Sequence, residues 1–322
     1  MKYLKHFDGH SLYEAYLVGD VFPETEGSSV VSYCKQQNEV HYNTYIPPTY
    51  NLLDILYANA NGEKKVDSTV LDPSLGYTPI GLCIAGTGFF GENEPARFMS
   101  LKYMNYDTPE TGSLTSQTMY WGNYGTDLNM ITNIQTTHNG GTGNEGYFTV
   151  DYYDSSSQTN KIPSMFNENN EWNISVLGAA NQYATTDIQG REKTDLILAS
   201  ATSQSTWMTD TSITNESGAG YAPAACCCAR YHTIGTKVGD WYLGASGEMC
   251  MIIVQKTAIN AKLTQIAEVY STDSIDSLAN YAYYSSTEYD SSSAFSVYVY
   301  QGGVGNFYGK NMGILVIAML AY

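Results

Sequence analysis

The chain has 322 residues, 43% of them hydrophobic and only 15% charged, with a net charge of -17 at pH 7. There is apolar material for a sizeable core in one large domain or two ordinary ones, and the polar surface falls to Ser, Thr, Asn, Gln, Gly and Tyr. So acidic a chain repels phosphate backbones, which argues against nucleic-acid binding, and no apolar run is long enough to span a membrane.

Residues 1–48 read as a unit of their own, closed by the extended linker TYIPPTYN around Pro47 and Pro48. DGHSLYEAYLVG predicts a short helix, with Asp8 or Ser11 as its N-cap. SSVVSYCKQQNEVHYN predicts a hairpin, with VVSYC and EVHYN on either side of KQQN. So small a segment has little core of its own and is expected to dock on its own chain or on a neighbouring subunit. The first twenty residues carry two lysines and no apolar export segment. Outward-facing composition without an export signal is expected of a protein assembled in a cytoplasm and released by lysis, as virion proteins are.

From residue 49 onward the pattern is mixed. LLDILYANANGEKKVD (52–67) predicts strand, turn at NANG, and strand; TPIGLCIAGTGFF (78–90) and ARFMSLKYMN (96–105) predict two more strands. Residues 106–175 are rich in Asn, Gly, Thr and Tyr with little periodicity, as expected of an insertion or a functional loop region. DLILASATSQSTW (195–207) and GYAPAACCCARYH (220–232) lead into the first clear helix, the Ala/Cys-rich one. In DWYLGASGEMCMIIVQKTAINAKLTQIA (240–267), Met249, Ile252, Ile253, Ile259, Leu263 and Ile266 keep helical spacing. MGILVIAMLAY at the end reads as a buried strand.

Catalytic patterns are scarce. His6, His10, His41, His138 and His232 form no HExxH, and neither a GxSxG elbow nor a GxxxxGK[ST] loop occurs. GTGFFG (86–91) lacks the dinucleotide spacing and a basic partner; DYYDSSSQTN (151–160) lacks EF-hand spacing and reads as a solvated loop. The six cysteines, Cys34, Cys83, Cys226, Cys227, Cys228 and Cys250, match no paired zinc spacing and are expected to be reduced, buried small residues. No cofactor, metal site or catalytic residue is expected.

The informative stretch is YYSSTEYDSSSAFSVYVYQGGVGNFYGKN, 283–311. In AFSVYVY, Phe295, Val297 and Val299 share one face, and Ser296, Tyr298 and Tyr300 the other. Tyr, Ser, Gly and Asn are also the residues of antibody binding loops, where Tyr gives rigid amphipathic contact and Ser and Gly adapt. An ordinary Tyr-rich strand, favoured by β-propensity, is the alternative.

Several motifs, in order, resemble a known family: DWYLGASGEM (240–249), INAKL (259–263), YYSSTEYDSSSAFSVYV (283–299), GGV (302–304), Lys310 and LVIAMLAY (315–322). The family is the C-type-lectin-like, formylglycine-generating-enzyme-type domain of variable proteins from diversity-generating retroelements. Its relatives carry WYLP-x-x-GE, then YWSSTE, then a closing strand with VR. Here Gly244 replaces the Pro, Tyr284 the Trp and Ile317 the Arg, while order and spacing persist. TDLILASATSQSTWMTD and APAACCCARYH are similar to the segment that precedes WYLP, and 78–102 resembles the opening strands more loosely. Residues 1–43 are similar to short leaders on tail-associated proteins of gut phages.

The resemblance implies an α+β fold: a C-type-lectin-like domain over 49–322 with short strands, two main helices and long irregular insertions, preceded by a small helix-hairpin segment. It implies a variable region at about 283–312, because adenine mutagenesis of Asn codons yields Tyr, Ser, Asp, Gly, Phe and Val. The implied ligand-contacting residues, taken as solvent-facing, are Tyr284, Tyr289, Asp290, Ser291, Ser292, Ser293, Ser296, Tyr298, Tyr300, Asn306, Phe307, Tyr308 and Asn311. Ser285, Ser286, Thr287 and Glu288 fit an invariant framework, with Ala294, Phe295, Val297, Val299 and Lys310. The expected role is a phage tail-tip or tail-fibre receptor-binding protein, non-enzymatic and located on the virion. Its expected partners are a bacterial surface protein or glycan and, through residues 1–48, other tail or virion subunits. A homo-oligomer is expected, trimers being common on tails. The alternatives are a structural virion protein, a bacterial surface adhesin of the same fold, or an enzyme of the formylglycine-generating or glycan-hydrolase type. The enzyme would need a reactive cysteine pair or a carboxylate pair in a cleft.

Overall fold

The closing run ILVIAMLAY shows how the chain is layered. In the computed structural model Ile317–Ala321 is a strand whose successive residues enter different cores. Ile317 and Met319 join one core, and Val316, Ala318 and Leu320 the other. An unbroken apolar run is what a strand needs when both of its faces are covered. The structure describes residues 49–90, 94–128, 187–299 and 303–322, with backbone alone at 254 and 303–307, together with strand backbone at points within 3–42 and 153–160. Of the irregular region expected at 106–175, residues beyond 128 lie outside the described residues apart from strand backbone at 153–154 and 159–160, and so does most of the loop at 151–160.

The chain divides into two compact units, Met1–Thr49 and Tyr50–Tyr322. In the first, β1 (Tyr3–Phe7) pairs antiparallel with β2 (Leu12–Tyr16), Phe7 opposite Leu12. Leu12–Tyr16, within the helix expected over 8–19, is therefore a strand, and the rest of that stretch lies outside the described residues. Asp8-Gly9, taken as a helix start, is equally a hairpin dipeptide, and LYEAY finds a ladder partner in YLKHF. β3 (Val31–Cys34) pairs with β4 (Glu39–Tyr42), Val31 opposite Tyr42, which is the hairpin expected around KQQN.

The second unit is built on a six-stranded antiparallel sheet. Its strands are β5 (Ile55–Asn59), β6 (Lys64–Asp67), β7 (Tyr77–Ala85), β8 (Arg97–Tyr103), β11 (Tyr242–Leu243) and β15 (Ile317–Ala321), in the order β11-β15-β8-β7-β5-β6. The two-residue strands β9 (Tyr153–Asp154) and β10 (Thr159–Asn160) pair only with each other. A second sheet joins β12 (Ala282–Glu288), β13 (Ser293–Tyr298) and β14 (Gly303–Gly309) in that order. Its first strand meets the entry to β15, where Tyr284 N–H donates to the Leu315 carbonyl at 3.0 Å.

Four α-helices lie among the described residues: α1 (Gly190–Ser200), α2 (Pro223–Arg230), α3 (Ser246–Val254) and α4 (Lys256–Val269). α2 is the Ala/Cys-rich helix, opened by Pro223 at a position where a missing N–H costs nothing. The helical spacing read from Met249 to Ile266 is carried by two helices, which meet at Gln255. The Glu248 carboxylate starts α3 by accepting the Ala245 N–H at 2.9 Å. α1 escaped the sequence reading because it begins at a glycine with no side-chain cap. The structure explains that glycine: a Cβ at Gly190 would lie 2.6 Å from Ala245 N. The result is an α+β protein with antiparallel sheets.

Two cores share the large sheet. Ile55, Tyr57, Leu82, Met99, Ile317 and Met319 face one core, which holds Met249–Ile253 of α3, Ile259, Leu263 and Ile266 of α4, and Phe295, Val297 and Val299. Leu56, Ala58, Cys83, Phe98 and Ala318 face the other, with α2, Trp121, Trp241, Tyr284, Ala294 and Tyr298. Gly244, where relatives in the resembled family have proline, sits tight between layers. A Cβ there would be 2.7 Å from Met319 Cγ and 3.1 Å from Met249 Sδ. The five cysteines among the described residues are free thiols and all are buried. Burial pushes Cys83 up to about 12 and raises Cys226, Cys227, Cys228 and Cys250 further.

Candidate functional site

β12 ends in YYSSTE, all of it buried. Tyr284 donates its hydroxyl to the Gly309 and Met312 carbonyls, each at 2.7 Å. Ser285 Oγ donates to the Phe295 carbonyl at 2.8 Å, and the Ser285 carbonyl accepts the Trp121 indole N–H at 2.8 Å. Thr287 Oγ1 donates to Asp187 at 2.5 Å and accepts the Ser246 N–H at 2.9 Å. Asp187 is itself ion-paired with buried Lys193. A strand whose polar groups are all buried must satisfy them internally, and here they tie β12 to α1, α3 and the loop bearing Trp121. Ser286 Oγ is the exception, with no hydrogen-bond partner among the described residues.

Glu288 ends the strand and anchors the site. Its carboxylate pairs with Lys310 Nζ and accepts the Leu128 N–H at 3.0 Å. Lys310 also donates to the Thr126 carbonyl at 2.8 Å, with its ammonium 4.8 Å from the centre of the Trp121 ring. Burial opposes charge on both partners, raising Glu288 and lowering Lys310, while the mutual hydrogen bond opposes both shifts. A second buried carboxylate, Glu248, meets Arg97 Nε at 2.5 Å and the Tyr242 hydroxyl at 2.9 Å. Each of these charges joins one element to another.

Three loops converge above the Glu288–Lys310 pair. The β12–β13 turn (289–292) is shaped by Asp290, whose Oδ1 accepts the Ser292 and Ser293 N–H groups, each at 2.7 Å. The Ser291 carbonyl accepts the Gly125 N–H at 2.8 Å, and the Ser292 carbonyl accepts the Lys310 N–H at 2.8 Å. The Lys310 carbonyl accepts the Trp121 N–H at 3.1 Å. Residues 121–128, 289–293 and 308–312 are thus cross-linked by backbone bonds, which do not depend on side-chain identity.

The thirteen expected contact residues divide accordingly. Tyr289, Asp290, Ser291, Ser292, Ser293 and Tyr308 are half-buried and Asn311 is exposed, all at this loop end. Tyr284, Ser296 and Tyr298 are not solvent-facing: they are 0%, 0% and 2% exposed. The opposite face of β13 is covered by the second core, which includes Trp121, Ala222 and Ile314, so strand parity did not imply exposure. Tyr300 and the side chains of Asn306 and Phe307 lie outside the described residues. The expected framework residues Ser285–Glu288, Ala294, Phe295, Val297, Val299 and Lys310 are all buried.

One residue at this end was missed. Tyr124 is 44% exposed in the loop held to Ser291. Its signal was WGNYG, an aromatic between glycines, but the loop joins 283–312 only in three dimensions. Gly122 and Gly125 take left-handed φ of 96° and 85°, as the tight path of that loop requires.

No group of His, Cys, Asp and Glu suited to a metal ion occurs among the described residues, and none of their helices is long and apolar enough to cross a membrane. No family model matches the chain, and no curated protein matches it. Among solved structures the chain is similar to a fimbrial protein from Bacteroides ovatus ATCC 8483, with 16% identity and a TM-score of 0.45 over 85% of this chain and 49% of that one. The chain therefore spans about half the length of that structure.

Proposed function

We propose that this protein is a non-enzymatic receptor-binding module of the phage-tail type, which recognises a bacterial surface ligand through the loop end at 289–293, 308–312 and 121–128. The observation that carries the reading is the division of labour within 283–312. Side chains of the framework are buried, whereas Tyr289, Ser291 and Asn311 sit on loops fastened through backbone groups. Such a face tolerates exchange of side chains without loss of the frame, as a variable protein of a diversity-generating retroelement requires. Recognition would rest on rigid aromatic contact from Tyr and adaptable hydrogen bonding from Ser and Asn. Several copies per virion, mounted through residues 1–48, would multiply a modest affinity. The raised thiols supply no thiolate near neutral pH, which favours binding over cysteine-based catalysis.

Binding of the purified protein to whole bacterial cells tests this reading. The variant Tyr289→Ala/Ser291→Ala/Asn311→Ala is expected to lose cell binding and stay folded, its thermal unfolding temperature falling modestly because the Tyr289 ring packs edge-on against Phe295 at 5.5 Å. Undiminished binding by that variant contradicts the proposal.

A further inference from the structure

A second cleft, of about 430 Å³, opens on the large sheet and shares no residue with the loop end. Strands β7 and β8 contribute Ile80, Leu101 and Lys102; the segment after α2 contributes Tyr231, His232 and Ile234; and the turn after α4 contributes Asp273. Its size is that of a small-molecule site.

The walls are preformed. His232 N–H donates to the Glu110 carbonyl at 3.0 Å, and Arg230 is ion-paired with Glu110, which ties the β8 exit loop to the segment after α2. Ile275 N–H donates to the Leu101 carbonyl at 2.9 Å, which ties the turn bearing Asp273 to β8. Thr236 Oγ1 accepts the Thr233 N–H at 2.8 Å and the Trp241 indole N–H at 3.1 Å, which fixes the rim around Ile234. Little ordering cost remains for a ligand to meet.

Some polar groups in the cleft are left over from this bonding. Tyr231 is only 2% exposed, borders the cleft, and its hydroxyl makes no hydrogen bond to any described residue. The hydroxyl is not one of the fully buried unpaired groups, so it keeps some accessible surface at which solvent or a ligand can meet it. Burial, with Asp273 nearby, keeps this phenol protonated and able to donate. His232 Nδ1 lies 3.2 Å from the Arg230 carbonyl, which can only accept, so that contact calls for a proton on Nδ1. The Lys102 ammonium has no ion pair among the described residues.

We infer that this cleft binds a saccharide unit. A pyranose ring presents alternating hydroxyl donors and acceptors at its edge and C–H groups on its face. The Tyr231 hydroxyl, the Asp273 carboxylate and the Lys102 ammonium match the edge; Ile80 and Ile234 match the face. A wholly apolar ligand would take water from the Tyr231 hydroxyl and give it no partner in return. A phosphate would meet the Asp273 carboxylate.

The test uses the full chain with glucose, galactose, N-acetylglucosamine and glucuronate as separate probes, followed by saturation-transfer NMR and calorimetry. At least one sugar is expected to bind, and Tyr231→Phe and Asp273→Asn are each expected to weaken it about tenfold, or about 1.4 kcal/mol. Tyr231→Phe removes no hydrogen bond, so the ligand-free protein should unfold at the same or a higher temperature. The loop-end variant Tyr289→Ala/Ser291→Ala/Asn311→Ala should bind the sugar unchanged, which separates this site from the proposed receptor face. Failure of all four sugars to bind overturns the inference, as does binding that neither Tyr231→Phe nor Asp273→Asn weakens.

Discussion

Lys310 and Glu288 meet as an ion pair from which water is excluded, their side chains 0% and 2% exposed. The pair joins the end of β12 to the end of β14, and through Thr126 and Leu128 it also holds the loop after Trp121. Removing one partner of such a pair leaves an uncompensated buried charge. Lys310→Met is therefore expected to cost about 3–5 kcal/mol in urea unfolding. The double variant Lys310→Met/Glu288→Gln should lose less than Lys310→Met alone, because the stranded carboxylate is gone. Equal losses in the two variants would mean that the pair does not hold the loops.

The buried and half-buried members of 283–312 should separate in thermal melts. Tyr284→Ala empties a core position and breaks two hydrogen bonds, at a cost of about 3–5 kcal/mol. Asn311→Ala is exposed and should stay within about 0.5 kcal/mol of the parent. The reverse order would place the proposed recognition face on the wrong side of the sheet.

Gly122 is expected to resist replacement. Its φ of 96° is hostile to a side chain, and a Cβ there would overlap the Tyr221 carbonyl. Gly122→Ala should cost about 1–3 kcal/mol from backbone strain alone and should loosen the loop bearing Tyr124. Urea unfolding of this variant, beside Gly125→Ala where nothing lies within 4 Å, separates crowding from strain.

Stability should fall in alkali. Burial raises Cys83 from 9.0, and Tyr57 from 10.0, each to about 12. Groups raised on folding stabilise fully below their unfolded values, and that contribution is lost as pH rises through the folded ones. The unfolding free energy should decline from about pH 9 toward pH 12, with Cys226, Cys227, Cys228 and Cys250 acting in the same direction. At pH 8 these thiols should resist alkylation until urea unfolds the chain, as peptide mass mapping would show.

Local pattern made much of the fold legible. The turn NANG placed the β5–β6 hairpin, the run of Ala and Cys placed α2, and the spacing of Ile259, Leu263 and Ile266 placed α4. What escaped were relations between distant residues. The alternation of Phe295 with Ser296 separates two faces but does not say that Trp121 and α2 cover the second. Glu288 and Lys310 looked like framework, yet only the fold shows that they bind one another. Tyr124 joined the site through a backbone bond to Ser291, a contact without a sequence signature.

The central claim is that the loop end is a replaceable recognition surface on a fixed frame. Sequencing this gene in sibling isolates tests it most directly. Substitutions are expected to concentrate at Tyr289, Ser291, Ser292, Ser293, Tyr308 and Asn311, at adenine-containing codons, and to spare Tyr284, Ser296, Tyr298, Glu288 and Lys310. Substitutions spread evenly along the chain, or falling equally on those buried positions, would contradict it.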